Sequence, residues 1–135
     1  MTELHRFLPC EGTQGLDWTA IETAFPWFRR LYDCPQDPVF HAEGNVGIHT
    51  RMVVEALTGL DGWRTADEET RFILFAAALL HDVAKPDTTE SQPDGRITAK
   101  GHSRRGAVDA GVILWRMGAP FHLREHIAAI VEHHQ

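Results

Sequence analysis

The sequence is poor in cysteine: Cys10 and Cys34 are the two in 135 residues, and neither has a partner at zinc-knuckle or redox spacing. Two free thiols in a reducing compartment are therefore expected rather than a disulfide framework. Long apolar runs are also missing. The longest covers residues 72–80, nine residues against the roughly 20 that cross a bilayer. The amino terminus, Met1-Thr2-Glu3-Leu4-His5-Arg6, lacks a basic segment followed by an apolar stretch, so no secretory leader is visible and a cytoplasmic location is expected. Positive charge is in deficit, 13 Lys and Arg against 19 Asp and Glu for a net charge of -6. That argues against nonspecific nucleic-acid binding through a broad basic face. It leaves room for a local anion site, because Lys85, Arg96, Lys100, Arg104 and Arg105 crowd one segment. Repeats, low-complexity tracts and interdomain linkers are absent as well, so one domain is expected.

What is present is ordinary soluble composition, 43% apolar and 24% charged, arranged as successive helices. Leu16, Ile21, Phe25, Phe28 and Leu31 recur at roughly helical spacing, with Pro26 placed to open a second helical piece. Cys34-Pro35-Gln36-Asp37-Pro38 then breaks the chain. Over residues 46–60, Ile48, Met52, Val53, Ala56, Leu57 and Leu60 predict an apolar stripe ended by Gly59 and Gly62. A third helix opens at Thr65 or Asp67 with Glu68 and Glu69 in its first turn, turns apolar on nearly every face over residues 72–80, and is expected to be central and to stop at Pro86. Pro93-Asp94-Gly95 is a turn signal that could join two short extended arms within residues 88–99. A fourth helix is expected over residues 103–117 with Gly118 as its stop, and a fifth from Pro120 to the chain end. The expected fold is an all-α bundle of about five to six helices.

The central helix ends in His81-Asp82-Val83-Ala84-Lys85-Pro86. His49 precedes this run, His102 follows it, and His133-His134 stand near the chain end. A cation taking several imidazole nitrogens and few carboxylate oxygens is a borderline transition metal, since magnesium and calcium prefer oxygen shells. Manganese, iron, cobalt, nickel and zinc are the candidates. Consecutive side chains on a helix diverge by about 100°, so His81 and Asp82 can share a site at a helix end but not in mid-helix. The arrangement also allows Asp82 to bridge two cations while His81 ligates one. Each histidine has a plainer reading beside this one: His49 as a buried core residue facing the side marked by Ile48 and Met52, His102 as a helix cap, His133-His134 as a polar helix end. His122 and His126, spaced i, i+4, read as surface residues, and His5 as uninvolved. His41 can support the site or pack locally. Lys85 lies one helical turn beyond His81, where its ammonium can meet a phosphate oxygen or the attacking water. Arg105, three residues beyond His102, could reach the same anion.

These residues resemble the HD-domain superfamily of metal-dependent phosphohydrolases, whose pattern is a His, a later His-Asp pair, further histidines and a final Asp. The matching residues are His49, His81, Asp82, His102, His133 and His134, and the likeness runs from about His41 to the last residue, with residues 1–40 as a helical lead-in. The stretches His41-Ala42-Glu43-Gly44-Asn45-Val46 with His49-Thr50, His81-Asp82-Val83-Ala84-Lys85-Pro86 and Gly101-His102-Ser103-Arg104-Arg105-Gly106-Ala107 are similar to HD modules of RNA-end enzymes. Those include bacterial CCA-adding nucleotidyltransferases and fusions of an HD domain to a polynucleotide kinase.

The resemblance implies a helical fold around one or two divalent ions and hydrolysis of phosphomonoesters, phosphodiesters or cyclic phosphates through a metal-activated water, with nucleotide or RNA-end phosphates as substrate. Asp82 and Lys85 are then the catalytic residues, with Lys85 and Arg105 holding the substrate phosphate. One departure stands out: no Asp follows His133-His134, and Asp109 is the last aspartate. Two readings of this remain open. In the favoured one, the chain is a fragment whose continuation supplies the last ligand and a kinase or transferase domain. In the other, it uses fewer ligands, or is a noncatalytic module that binds nucleotide or docks on a partner domain.

Overall fold

The computed structural model describes residues 2–9, 15–39 and 41–134. Cys10 lies outside them, while Cys34 is a buried free thiol. A single 3-10 turn, Glu3–Phe7, leads into α1 (Trp18–Ala24), α2 (Pro26–Arg29) and a second 3-10 turn, Arg30–Asp33. Pro26 occupies the first turn of α2 as its missing N–H allows. There follow α3 (Val46–Thr58), α4 (Asp61–Arg64), α5 (Glu68–Leu80) and α6 (Lys85–Thr88). The hairpin β1 (Thr89–Ser91) and β2 (Ile97–Ala99) precedes α7 (His102–Arg116) and α8 (Phe121–Glu132). The expected all-α architecture holds, with α2 the expected second piece opened by Pro26 and α4 and α6 as additional single turns, and the expected hairpin is the one small sheet among the described residues. Its strands pair antiparallel, Thr89 opposite Ala99, around Gly95 at φ 89°.

The central helix is α5. Asp67 caps it, its side chain accepting the Thr70 N–H at 2.7 Å, and Glu68 and Glu69 complement the dipole. Phe72, Phe75, Ala76, Leu79 and Leu80 are nearly or wholly removed from solvent, because α5 packs against both α3 and α8 while α7 pairs with α8. Leu114, Ile127 and Val131 close the core from that side, and Ile21, Phe25, Phe28 and Leu31 from the amino-terminal one. His5 stacks on Phe72, ring centroids 3.7 Å apart, as part of this packing.

Three expectations are corrected. The helix does not run on to Pro86: it ends at Leu80, residues 81–84 form tight turns, and Pro86 sits in the first turn of α6, where proline initiates rather than stops. Gly62 lies inside the single turn α4, so it is Gly59 alone that ends α3. The buried face of α3 is Val46, Gly47, Thr50 and Val54, whereas Ile48, Met52 and Leu60 are exposed. The cause is Gly47, which lets α3 approach the Tyr32 ring so closely that an added Cβ would lie 2.5 Å from Cδ1. That contact rotates the helix and puts His49, three residues after Val46, beside the buried face.

At the other end, Gly118 at φ 80° closes α7 in a Schellman turn, with the Ala119 N–H donating to Leu114 O at 3.0 Å. Gly106 brings α7 against the 81–84 turn and α8, since a Cβ there would meet Val131 Cγ1 at 3.2 Å and His81 O at 3.8 Å. Among the described residues no helix is long and apolar enough to cross a membrane. Replacing Gly47 by Ala is expected to lower stability by about 1–3 kcal/mol through overpacking. Gly62→Ala, with nothing within 4 Å of its added Cβ, is expected to be neutral or stabilising by up to about 1 kcal/mol. Urea denaturation of the two variants measures the difference.

Candidate metal centre

The site is built where secondary-structure elements end. His81 is the C-cap of α5 and Asp82 follows it into the turn. His102 opens α7, His134 lies just past the end of α8, and His49 sits in the first turn of α3 behind the Asn45 cap, whose Oδ1 accepts the Ile48 N–H at 2.9 Å. Helix C-termini leave carbonyls without partners inside the helix. His81 Nδ1 donates to Ala78 O at 2.6 Å, His134 Nδ1 to Val131 O, and His102 Nδ1 to Ala99 O at 2.9 Å at the end of β2. For His49 the same part is played by a carboxylate, Glu43 Oε1, at 2.7 Å. Carbonyls and carboxylates can only accept, so each of the four rings carries its proton on Nδ1 and, when neutral, presents a bare Nε2.

All four Nε2 atoms face Asp82, which is 2% exposed. His81 and His49 approach Oδ2 at 3.1 and 3.7 Å, and His102 and His134 approach Oδ1 at 3.4 and 3.5 Å. Asp82 Oδ1 has no hydrogen-bond partner, and His102 Nε2 lies 3.3 Å from His134 Nε2. Lone pairs confronting lone pairs repel unless a cation stands among them. The 3.3 Å separation is the edge of a tetrahedron whose donors lie about 2.0–2.1 Å from a central ion. Two groups of three donors contain Asp82, His49–His81–Asp82 and Asp82–His102–His134, each with its ligand atoms within 4.8 Å of one another. Asp82 belongs to both. The donor chemistry, imidazole nitrogen with a carboxylate oxygen, suits a divalent ion in either group, and Asp82 would be shared if both were filled.

The electrostatics agree with this chemistry. Burial pushes the Asp82 carboxyl up, but the facing His134 and His81 imidazoles and the Lys85 ammonium outweigh it and keep the group ionised, well below the usual carboxylate range. Burial lowers His49 and His102 toward the neutral imidazole that binds metal, against the raising pull of Glu43 and of the Ala99 carbonyl respectively. His134 is raised by Asp82 against burial, so a proton is held where a cation is wanted.

The structure brings together His49, His81, Asp82, His102 and His134, and separates His133 from them. His133 is 76% exposed with Nε2 3.7 Å from Glu132 Oε2; the turn of about 100° per residue lets only one of the two adjacent rings face inward. Arg105 is likewise outside, half-exposed and paired with Asp87 and Asp109, both at 3.6 Å. Lys85 is inside: its Nζ lies 3.4 Å from Asp82 Oδ2 and 2.9 Å from Gln36 Oε1. His122 pairs with Glu69 on the surface, and His126 is exposed. His41 supports the site from behind, its ring 5.2 Å from His49 and its Nδ1 3.4 Å from Glu43. Sequence reasoning missed Glu43 and Gln36. The signal for Glu43 was its place just ahead of a helix cap and six residues before a candidate ligand histidine; Gln36 lay in a segment that read only as a chain break. His133→Ala should leave bound metal unchanged, whereas Glu43→Ala should weaken metal affinity about 10–100-fold by freeing the His49 ring. Competition with a chromogenic chelator measures both.

Residues 46–135 match the family model described as HD domain. The chain is 33% identical over 118 residues to the multifunctional CCA protein of Methylococcus capsulatus, covering 87% of this chain and 25% of that protein. It is 33% identical over 116 residues to the multifunctional CCA protein of Halorhodospira halophila, covering 85% and 25%. A third, from Cupriavidus metallidurans, is 30% identical over 115 residues, covering 85% and 25%. The chain thus spans about a quarter of the length of these curated relatives. No solved structure matches it significantly. The matched span contains every residue of the two donor groups, and the chain belongs to the HD domain family.

Proposed function

We propose that the chain is a metal-dependent phosphohydrolase acting on nucleotide or RNA-end phosphates, as a phosphomonoesterase or 2′,3′-cyclic phosphodiesterase. The observation that carries this reading is the convergence of four Nε2 atoms on the two oxygens of one buried carboxylate. His49 and His81 would hold one ion and His102 and His134 another, with Asp82 common to both. A divalent ion there, of manganese, iron, cobalt, nickel or zinc, supplies an acidified, oriented water and offsets charge developing on the phosphoryl oxygens. With three protein donors each, such ions would keep room for water and substrate.

The chain's own residues do the rest. Lys85 presents an ammonium beside Asp82, 12% exposed, where it can donate to a nonbridging phosphoryl oxygen and hold the ester against the centre. Its neighbour Gln36 fixes the ammonium by accepting one of its hydrogens. Arg105, paired with Asp87 and Asp109, is not assigned to the phosphate. The likeness to multifunctional CCA proteins supports an RNA-end ester over a free metabolite, and a neighbouring transferase domain as the partner.

The test is hydrolysis of 2′,3′-cyclic AMP, adenosine 3′-monophosphate and p-nitrophenyl phosphate by the purified chain loaded in turn with each metal. Asp82→Ala is expected to lose both bound metal and turnover. Lys85→Met is expected to keep metal and lose about 10- to 100-fold in kcat/KM, the worth of one charge-assisted hydrogen bond of ~1.5–3 kcal/mol. Full metal retention without turnover of any ester would favour the noncatalytic nucleotide-binding or docking module instead.

A further inference from the structure

Beside the candidate metal centre lies a cavity of about 480 Å³, bounded by Pro35, Gln36, Asp37 and His41, the hairpin and the start of α7. Lys85 and His102 form its inner end, and Pro35 and Ile97 contribute apolar wall. Asp37 ties the wall together by accepting the Val39 N–H at 2.9 Å and the Ile97 N–H at 3.4 Å. The volume is that of a site for a small organic ligand, more than a phosphate group requires.

Gln36 also lines this cavity, and it is 7% exposed. Its Oε1 is taken by Lys85 Nζ at 2.9 Å, which fixes which end of the amide is oxygen, and its Nε2 has no hydrogen-bond partner. A buried donor left unpaired is costly, so such a group marks a place where a ligand acceptor belongs. Gln36 stands one hydrogen bond beyond Lys85. When Lys85 holds a phosphoryl oxygen of a 3′-phosphomonoester, the nearest hydroxyl is the 2′-hydroxyl on the carbon beside the phosphate-bearing one. A neutral amide suits a hydroxyl, which accepts one hydrogen while donating its own.

We propose that Gln36 is a specificity-determining residue for 3′-phosphomonoester ends, its Nε2 donating to the free 2′-hydroxyl next to the phosphate and so selecting ribonucleotide over deoxyribonucleotide ends. The 2′-hydroxyl is the group by which proteins tell RNA from DNA at a given position. This assignment rests on the phosphohydrolase reading for the placement of the phosphate, and its test is separable from that reading.

Adenosine 3′-phosphorothioate and its 2′-deoxy counterpart, which turn over slowly, are titrated calorimetrically into the metal-loaded chain. The wild-type chain is expected to bind the ribo form about tenfold more tightly, the size of one hydrogen bond. Gln36→Met, similar in length without donor or acceptor, is expected to bind both forms alike at the affinity of the deoxy form. A wild-type chain with no preference overturns the proposal whether or not the variant folds, and so does a folded variant that keeps the preference. A ribo preference abolished by Gln36→Met in a chain that hydrolyses no ester would sustain Gln36 and remove the catalytic reading. Hydrolysis without the preference would do the reverse.

Discussion

Asp82 carries a negative charge at 2% exposure, and taking a carboxylate out of water costs several kcal/mol unless partners offset it. The surrounding chain is organised to supply those partners. Four imidazoles and one ammonium converge on two oxygens, delivered by α3, the end of α5, the start of α6, the start of α7 and the end of α8. Remove the carboxylate and four inward-facing rings lose their common focus; remove the rings and a buried charge stands uncompensated. The hydrophobic packing of α5 between α3 and α8 fixes the distances at which this balance is struck. Gly47 and Gly106 matter for the same reason, since each lets a helix carrying one of those rings come close enough.

Much of this was legible in the residues. The apolar run over 72–80 marked the central helix, Asp67 its start, Gly118 the end of α7 and Pro93-Asp94-Gly95 the hairpin, because caps and turns are local chemistry written in a few side chains. The His-Asp pair pointed to the candidate metal site for a related reason: few contexts place an imidazole beside a carboxylate at the rim of a buried helix. Where local chemistry was insufficient, the reading went astray. The face of α3 could not be chosen from its own pattern, since Ile48 and Met52 are as apolar as Val46 and Val54; the Tyr32 ring against Gly47 decides it, and that contact is tertiary. Pro86 is compatible with stopping one helix or starting another, and only the turns before it distinguish the two.

The same limit explains the site. His133 and His134 are indistinguishable as letters, and their roles are separated by where α8 ends. Arg105 has the spacing to reach the centre but meets Asp87 and Asp109 first. Glu43 and Gln36 went unnoticed because each acts on another residue: Glu43 through the back of His49, Gln36 through the ammonium of Lys85. Residues that hold other functional groups carry no signature of their own in a single sequence.

The proton locks on the ring nitrogens are of two kinds. His81, His102 and His134 are held by main-chain carbonyls of Ala78, Ala99 and Val131, and substitution at those positions leaves the carbonyl where it was. His49 is held by a side chain, Glu43, which a single codon change can delete. Three corners of the centre are therefore guarded by the fold itself and can drift in sequence around the ligands without losing their orientation. The fourth is heritable separately, so the half of the centre built on His49 is the half that descent can loosen, retune or discard while the other stays in place.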